Sequence, residues 1–280
     1  MSNSKIILVS LLFCLCSGGI ASAKMQTTYF VNSSTMKKVA DWADKDTVMF
    51  VSLDDVVMMP KSEMFSYNSN PYLGFIRNMV SLGARMPRYN KIVSQWYAQR
   101  QVKLVEEGWE GFIKSMQAKG VAVYGISYMP IHLTNIEPKI HKDVQGLGVL
   151  FTNKINGKEE MQIEKHENWH SSFYKGIIFL GPFGPSHTLM EFIKVTNISP
   201  KKMLFISNSK PDLKRMDKSL RVFDMEFYNV EYRGVRETGE KPDEKIVKLQ
   251  QKHLINQGIW LEDEQAAAML KSLDQGNADK

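Results

Sequence analysis

Two cysteines are all that the 280 residues contain, and both, Cys14 and Cys16, fall within the first 23. That opening stretch has Lys5, an apolar run over 6–16, and Ala21-Ser22-Ala23, the small-residue pattern a signal peptidase reads. Lys24 is therefore the expected first residue of an exported chain, periplasmic or secreted from a bacterial cell. A mature chain without cysteine has neither a disulfide framework nor thiol chemistry. Long apolar runs are also missing: none reaches the roughly 20 residues of a membrane span. No stable span is expected after cleavage, with an uncleaved N-terminal anchor as the alternative. Neither cysteine follows the small residue that a lipoprotein signal requires, which disfavours a lipid anchor. Clustered charge is lacking as well. Loss of Lys5 leaves 35 basic against 30 acidic residues, a net charge of +5 spread along the chain, which reads as a solvated basic surface and against nucleic-acid binding. There is no internal repeat and no low-complexity tract.

What is present is a set of short apolar runs bounded by polar or turn residues. "TVMFVSL" from Thr47, "VAVYGIS" from Val121, "GIIFLG" from Gly176 and "KKMLFIS" from Lys201 lack polar alternation, as strands covered on both faces do. "LRVFDMEFY" from Leu220 is a weaker fifth. Between them, residues 36–42, 105–118, 187–196 and 211–218 place apolar side chains at helical steps. The alternation predicts an α/β fold with a parallel sheet flanked by helices, whose strand C-termini converge on one crevice.

The interval 57–120 is too long for one crossover. Residues 60–103 are predicted to form a small helical insertion, with a helix over 72–82 and a long helical stretch from Lys91 towards Gln117. Core segments are assigned to 24–59 and 104–240. Asn156-Gly157 is a strong two-residue turn signal, so residues 151–174 read as a β-hairpin leading back into the sheet. From Lys241 the chain reads as amphipathic helices followed by a disordered polar tail, "DQGNADK".

Three of the four strong strands end in polar residues: Ser52, Asp54 and Asp55; Ser127; Ser207 and Asn208. With "KGIIFLG", "LMEFI", "SPKKMLFISNSKPDL" and "FYNVEYRG" following in order, the sequence resembles the haloacid dehalogenase superfamily, and within it a branch of secreted bacterial proteins. The resemblance spans residues 48–231. It implies a Rossmann-like core with a cap after the first strand, and phosphoryl transfer by an aspartyl nucleophile, with an acid/base Asp two residues on. It further implies a Mg²⁺ held by acidic residues, and a hydroxyl and a Lys on the phosphate.

Carried over, Ser52 takes the nucleophile position, Asp54 the acid/base position, Asp55 the following acidic position and Ser127 the phosphate-binding hydroxyl. Pro185 or Ser186 falls where the Lys belongs, and Ser207-Asn208 replaces the metal-binding acidic pair. A serine hydroxyl needs its own base and offers Mg²⁺ no charge. The expectation is a degenerate phosphatase, or pseudoenzyme, that acts by binding an anionic small molecule or a protein partner, with no cofactor. The alternative is a Mg²⁺-dependent phosphomonoester hydrolase with a rearranged site around Asp54.

Each motif also has a plainer reading. Asp54 and Asp55 can cap a turn, Ser127 can simply end a strand, and Ser207 to Ser209 can form a helix N-cap ahead of "KPDL". "HENWH", with His166, Glu167 and His170, matches the H-E-x-x-H zinc pattern, but there is room there for little more than one helical turn. Trp96, Tyr97, Trp109 and Met79 read as the core of the insertion, or as a partner surface over the crevice.

Overall fold

The computed structural model describes residues 24–28, 30–66, 71–83, 85–128, 136–166, 169–237 and 240–278. The expected leader lies outside them. Strand β1 spans Lys24–Thr28.

Eight strands form the main sheet. They are β1, β2 (Thr47–Ser52), β5 (Ala122–Ser127), β6 (Glu160–His166), β7 (Trp169–Tyr174), β8 (Ile177–Phe179), β9 (Lys202–Ser207) and β10 (Glu226–Tyr232), in the order β1-β10-β9-β2-β5-β8-β7-β6. From β1 to β8 the pairings are parallel, and β7 alone runs the other way, antiparallel to β8 on one side and to β6 on the other. Strand β2 lies between β5 and β9, so chain order reverses beside it. That is the switch point at which open sheets leave a crevice beyond the strand C-termini.

Period-two alternation sorts side chains onto two buried faces. Met49, Val51, Val123, Leu204 and Ile206 face α1 (Ser34–Asp41), α4 (Gly108–Ala118) and α5 (Glu137–Gly146). Phe50, Tyr124, Ile126, Met203 and Phe205 face α6 (Pro185–Thr196) and α7 (Lys210–Leu220). The protein is thus a mixed α/β structure with a mostly parallel sheet between helical layers. Among the described residues no helix is long and apolar enough to cross a membrane.

Beyond β2 the chain leaves the sheet. Strands β3 (Met58–Pro60) and β4 (Val102–Leu104) pair as an antiparallel ribbon, and between them lie a 3₁₀ turn (Glu63–Phe65), α2 (Phe75–Gly83) and α3 (Pro87–Gln99). Ribbon formation interrupts the long helical stretch expected from Lys91 to Gln117: it stops at Gln99, makes β4, and restarts at Gly108.

The C-terminal helices α8 (Glu244–Gln257) and α9 (Asp263–Ala278) join this excursion. Trp260 lies 5.7 Å from the ring of Phe65 and 6.4 Å from that of Trp96. Buried Gln250 donates to Ser62 Oγ, Leu261 O and Asp263 Oδ1 at 3.2, 2.9 and 2.7 Å. Most of the tail expected to be disordered is helical, with α9 running to Ala278.

Other differences have local causes. Leu220 closes α7, being buried beneath it, and β10 starts six residues later at Glu226. Asn156 and Gly157 take the positive φ values, 50° and 78°, of a tight turn, but the ladder there is one bridge, Ile155 to Lys158. The longer hairpin pairs β6 with β7, and residues 167–168 between them lie outside the described residues.

Candidate functional site

The crevice beyond β2 is a cavity of about 370 Å³, in the range that holds small ligands. The turn after β2 forms its floor and the insertion its walls. Leu53 O accepts from the amides of Val57 and Met58, both at 3.0 Å, and Asp55 N donates to Met58 O at 2.9 Å. Closing so tight a turn puts Asp55 at φ 58°, a left-handed conformation that Asp tolerates better than most residues. The turn therefore presents Asp54 and Asp55 together to the cavity.

Facing them is Arg100, which follows α3. Its guanidinium lies over the rings of Trp96 and Tyr97, at 4.6 and 4.4 Å from their centroids, a doubly aromatic seat that favours a desolvated cation. The side chain is 3% exposed, and its Nη2 is 3.7 Å from Asp54 Oδ1, an ion pair too long for a hydrogen bond. Nε and Nη2 are buried without an acceptor. Arg77, exposed on α2, lines the same cavity.

These surroundings set the carboxyl acidities. Burial raises Asp54 above the usual carboxylate range, partly offset by the charge of Arg100 and by a hydrogen bond from the Tyr128 amide. Asp55 is raised to about 6, first by burial and then by the charge of Asp54, against the pull of Arg100 and Arg77. The amide of Tyr128 belongs to the end of β5, so Asp54 ties the β2 turn to its neighbouring strand and caps no helix.

Behind the carboxylates is a second polar cluster. The Tyr128 hydroxyl donates to Asp212 Oδ2 at 2.7 Å, and Asp212 Oδ1 accepts from Arg215 at 2.7 Å. The same phenol lies beside the hydroxyls of Ser207 and Ser52. Ser52 is wholly buried, and its Oγ makes no hydrogen bond of good geometry. Ser207 Oγ accepts from Ser209 N at 3.1 Å, and Ser209 caps α7 through Asp212 N at 3.4 Å, as the plainer reading of that segment expects. Asn208 sits between them, half-buried. Ser127 is 3% exposed at the end of β5.

Of the residues singled out from sequence, Asp54 and Asp55 line the cavity, whereas Ser52 and Ser207 gather behind it around Tyr128. Pro185 begins α6 with no basic residue at that position, and no lysine lines the cavity. Lys175 sits in the β7–β8 turn and lines a separate 520 Å³ cavity with His141 and Phe151, and Lys210 is exposed at the first position of α7.

"HENWH" falls in the hairpin expected over 151–174, and its match to the zinc pattern has no helix behind it. His166 and His170 lie on neighbouring antiparallel strands, not on one helical turn. His166 Nε2 and His187 Nε2 share the Glu164 carboxylate at 3.0 and 2.6 Å, and His170 faces Glu137 at 3.5 Å. Glu167 lies outside the described residues.

Arg77, Arg100 and Asp212 were not anticipated from sequence. For Arg100 a signal was present: in "WYAQR" it follows Tyr97 by three residues and Trp96 by four, the spacing at which helical neighbours meet.

This fold and site define a mixed α/β protein whose helical insertion closes a charged pocket over the sheet's switch point. The chain belongs to the family described as "Protein of unknown function (DUF2608)", which it matches over residues 31–267. It is also similar to "Uncharacterized protein RP296" of Rickettsia prowazekii (strain Madrid E), at 36% identity over 273 residues, covering 96% of this chain and 99% of that protein.

Proposed function

We propose that this chain is an exported protein of haloacid dehalogenase type in which phosphoryl transfer has been abandoned and the cap-covered pocket binds a ligand without turning it over. The observation that carries this reading is the occupant of the strand ends. The Tyr128 phenol lies against Ser52 and Ser207 and donates to Asp212 at 2.7 Å. Groups that would meet a phosphate and its metal in the resemblance are thereby packed against a phenol that is itself bonded to Asp212.

Ser52 supports it from the other side. A buried neutral hydroxyl with no hydrogen-bonded base lacks the activation a nucleophile needs. A site without the attacking carboxylate, the metal-binding acidic pair and the Lys forfeits the electrostatic stabilisation on which phosphoryl transfer depends. The alternative, a Mg²⁺-dependent hydrolase built on Asp54, draws its support from the raised pKa values of Asp54 and Asp55, since a carboxyl that holds its proton to higher pH can act as a general acid. A Mg²⁺ there would rest on Asp54 and Asp55 beside the fixed positive charge of Arg100, a poor setting for a divalent cation.

Purified protein incubated with Mg²⁺ and a panel of phosphomonoesters, beside Asp54→Asn, separates the two. The binding reading expects no phosphate release that depends on Asp54, and Asp54-dependent release overturns it. Ser52→Asp alone is expected to restore nothing, because the Lys and the acidic pair remain absent. Export is tested by the N-terminus of protein recovered from a bacterial periplasm. Cleavage after Ala23 would leave β1 intact, and a retained leader would sink that part of the proposal.

A further inference from the structure

We infer that the pocket takes a compact zwitterion, a free α-amino acid with an apolar side chain. The inference rests on the binding reading above and deepens it by naming the ligand class.

Of three charged groups around this one cavity, two lack hydrogen-bond partners among the described residues and the third is held in solvent. The Asp55 carboxylate, set into the cavity by its left-handed backbone, receives no hydrogen bond from a described residue. Arg77 lines the same cavity on α2, exposed, with no ion pair to a described residue. Arg100, 3% exposed, has Nε and Nη2 without acceptors. Buried polar groups in native proteins are almost always paired, so the unsatisfied donors of Arg100 and the half-buried Asp55 carboxylate without a donor point to a ligand that supplies the partners.

The signs of these groups choose among ligands. Asp54 and Asp55 repel a simple anion from the floor, while Arg77 and Arg100 repel a simple cation from the wall and back. The four formal charges sum to zero, and a ligand bearing both signs meets each group with its complement. An ammonium suits Asp55, the donor-poor carboxylate. A carboxylate suits Arg77, whose planar fork matches it, with the positive field of Arg100 behind. Between them Leu73, Ile76, Val80 and Phe65 give an apolar wall for the rest of the ligand. Volume permits it: about 370 Å³ accommodates a molecule of amino-acid size with room to spare.

Calorimetric titration of the full protein with L-leucine and L-phenylalanine tests this, with N-acetyl-leucine, leucinamide and inorganic phosphate as probes that each lack one charge or the apolar body. The expected result is saturable binding of one or both amino acids, with about tenfold or greater loss for N-acetyl-leucine and for leucinamide. Asp55→Asn, which keeps a residue tolerant of positive φ, and Arg77→Gln, an exposed change, should each weaken amino-acid binding about tenfold without lowering the unfolding temperature. No binding of either amino acid, equal binding of N-acetyl-leucine or of phosphate, or unchanged affinity in both variants would overturn the inference. Asp54-dependent phosphate release would instead overturn the binding reading, so the two failures are distinguishable.

Discussion

Asp55 shows how one backbone angle places a costly charge. At φ 58° its carboxyl is held beside Asp54 in a poorly hydrated cavity, and its pKa rises to about 6 from an ordinary 3.8. A folded-state pKa above the unfolded one penalises the ionised fold. The penalty is absent below about pH 4, grows through pH 6 and is complete above it. Asp55→Asn should therefore stabilise the protein at pH 7.5 by about 1–3 kcal/mol and change little at pH 4, as read by urea unfolding at the two values. An effect independent of pH would contradict that account. The same titration bears on the ligand: with Asp54, Arg100, Arg77 and Tyr97 as its charged and titratable neighbours, Asp55 should bind an ammonium more tightly at pH 7 than at pH 5.

Arg100 is the counterpart. Seated between Trp96 and Tyr97 and facing Asp54, it offsets the floor's negative charge while stiffening the end of α3. Arg100→Met should cost about 2–4 kcal/mol, because it strands a desolvated carboxylate as well as losing two ring contacts. Denaturant unfolding with a loss below about 1 kcal/mol would show that the pair is incidental.

At the scale of elements, the insertion depends on the chain's last helices. Trp260 and the Gln250 hub join α8 and the start of α9 to Phe65, Trp96 and Ser62. Trp260→Ala should destabilise by about 3–5 kcal/mol and raise hydrogen exchange in α3 before it does so in β2 or β9. Uniform loss of protection across the sheet would contradict this local role.

Legibility in the sequence divides at the same boundary. β2, β5, β8 and β9 could be read because strands covered on both faces leave continuous apolar runs. The insertion was readable as an interval too long for one crossover. The partnership of α8 and α9 with it was not, since contacts between Ser62 and Asp263 depend on tertiary placement and leave no local pattern. β1 was missed for a related reason: "KMQTT" is a polar edge strand with little apolar signal. Asp54 and Asp55 were found because their position at a strand end is written in the chain. Arg77 and Asp212 reach the site and its backing cluster from helices whose local sequences are ordinary.

The whole molecule joins a sheet with its switch point at β2, a pocket beyond the strand ends and, behind it, a polar cluster centred on the hydrogen bond from Tyr128 to Asp212. Tyr128→Phe separates packing from chemistry. It should lower stability by about 1–2 kcal/mol, because Asp212 Oδ2 loses its donor while Oδ1 keeps Arg215, and still confer no hydrolysis.

The most direct measurement is Mg²⁺-dependent phosphate release by the wild-type protein from a phosphomonoester panel, with Asp54→Asn as the control. The account predicts no release above the control at any Mg²⁺ concentration, whereas Mg²⁺-dependent turnover that vanishes in Asp54→Asn would contradict it.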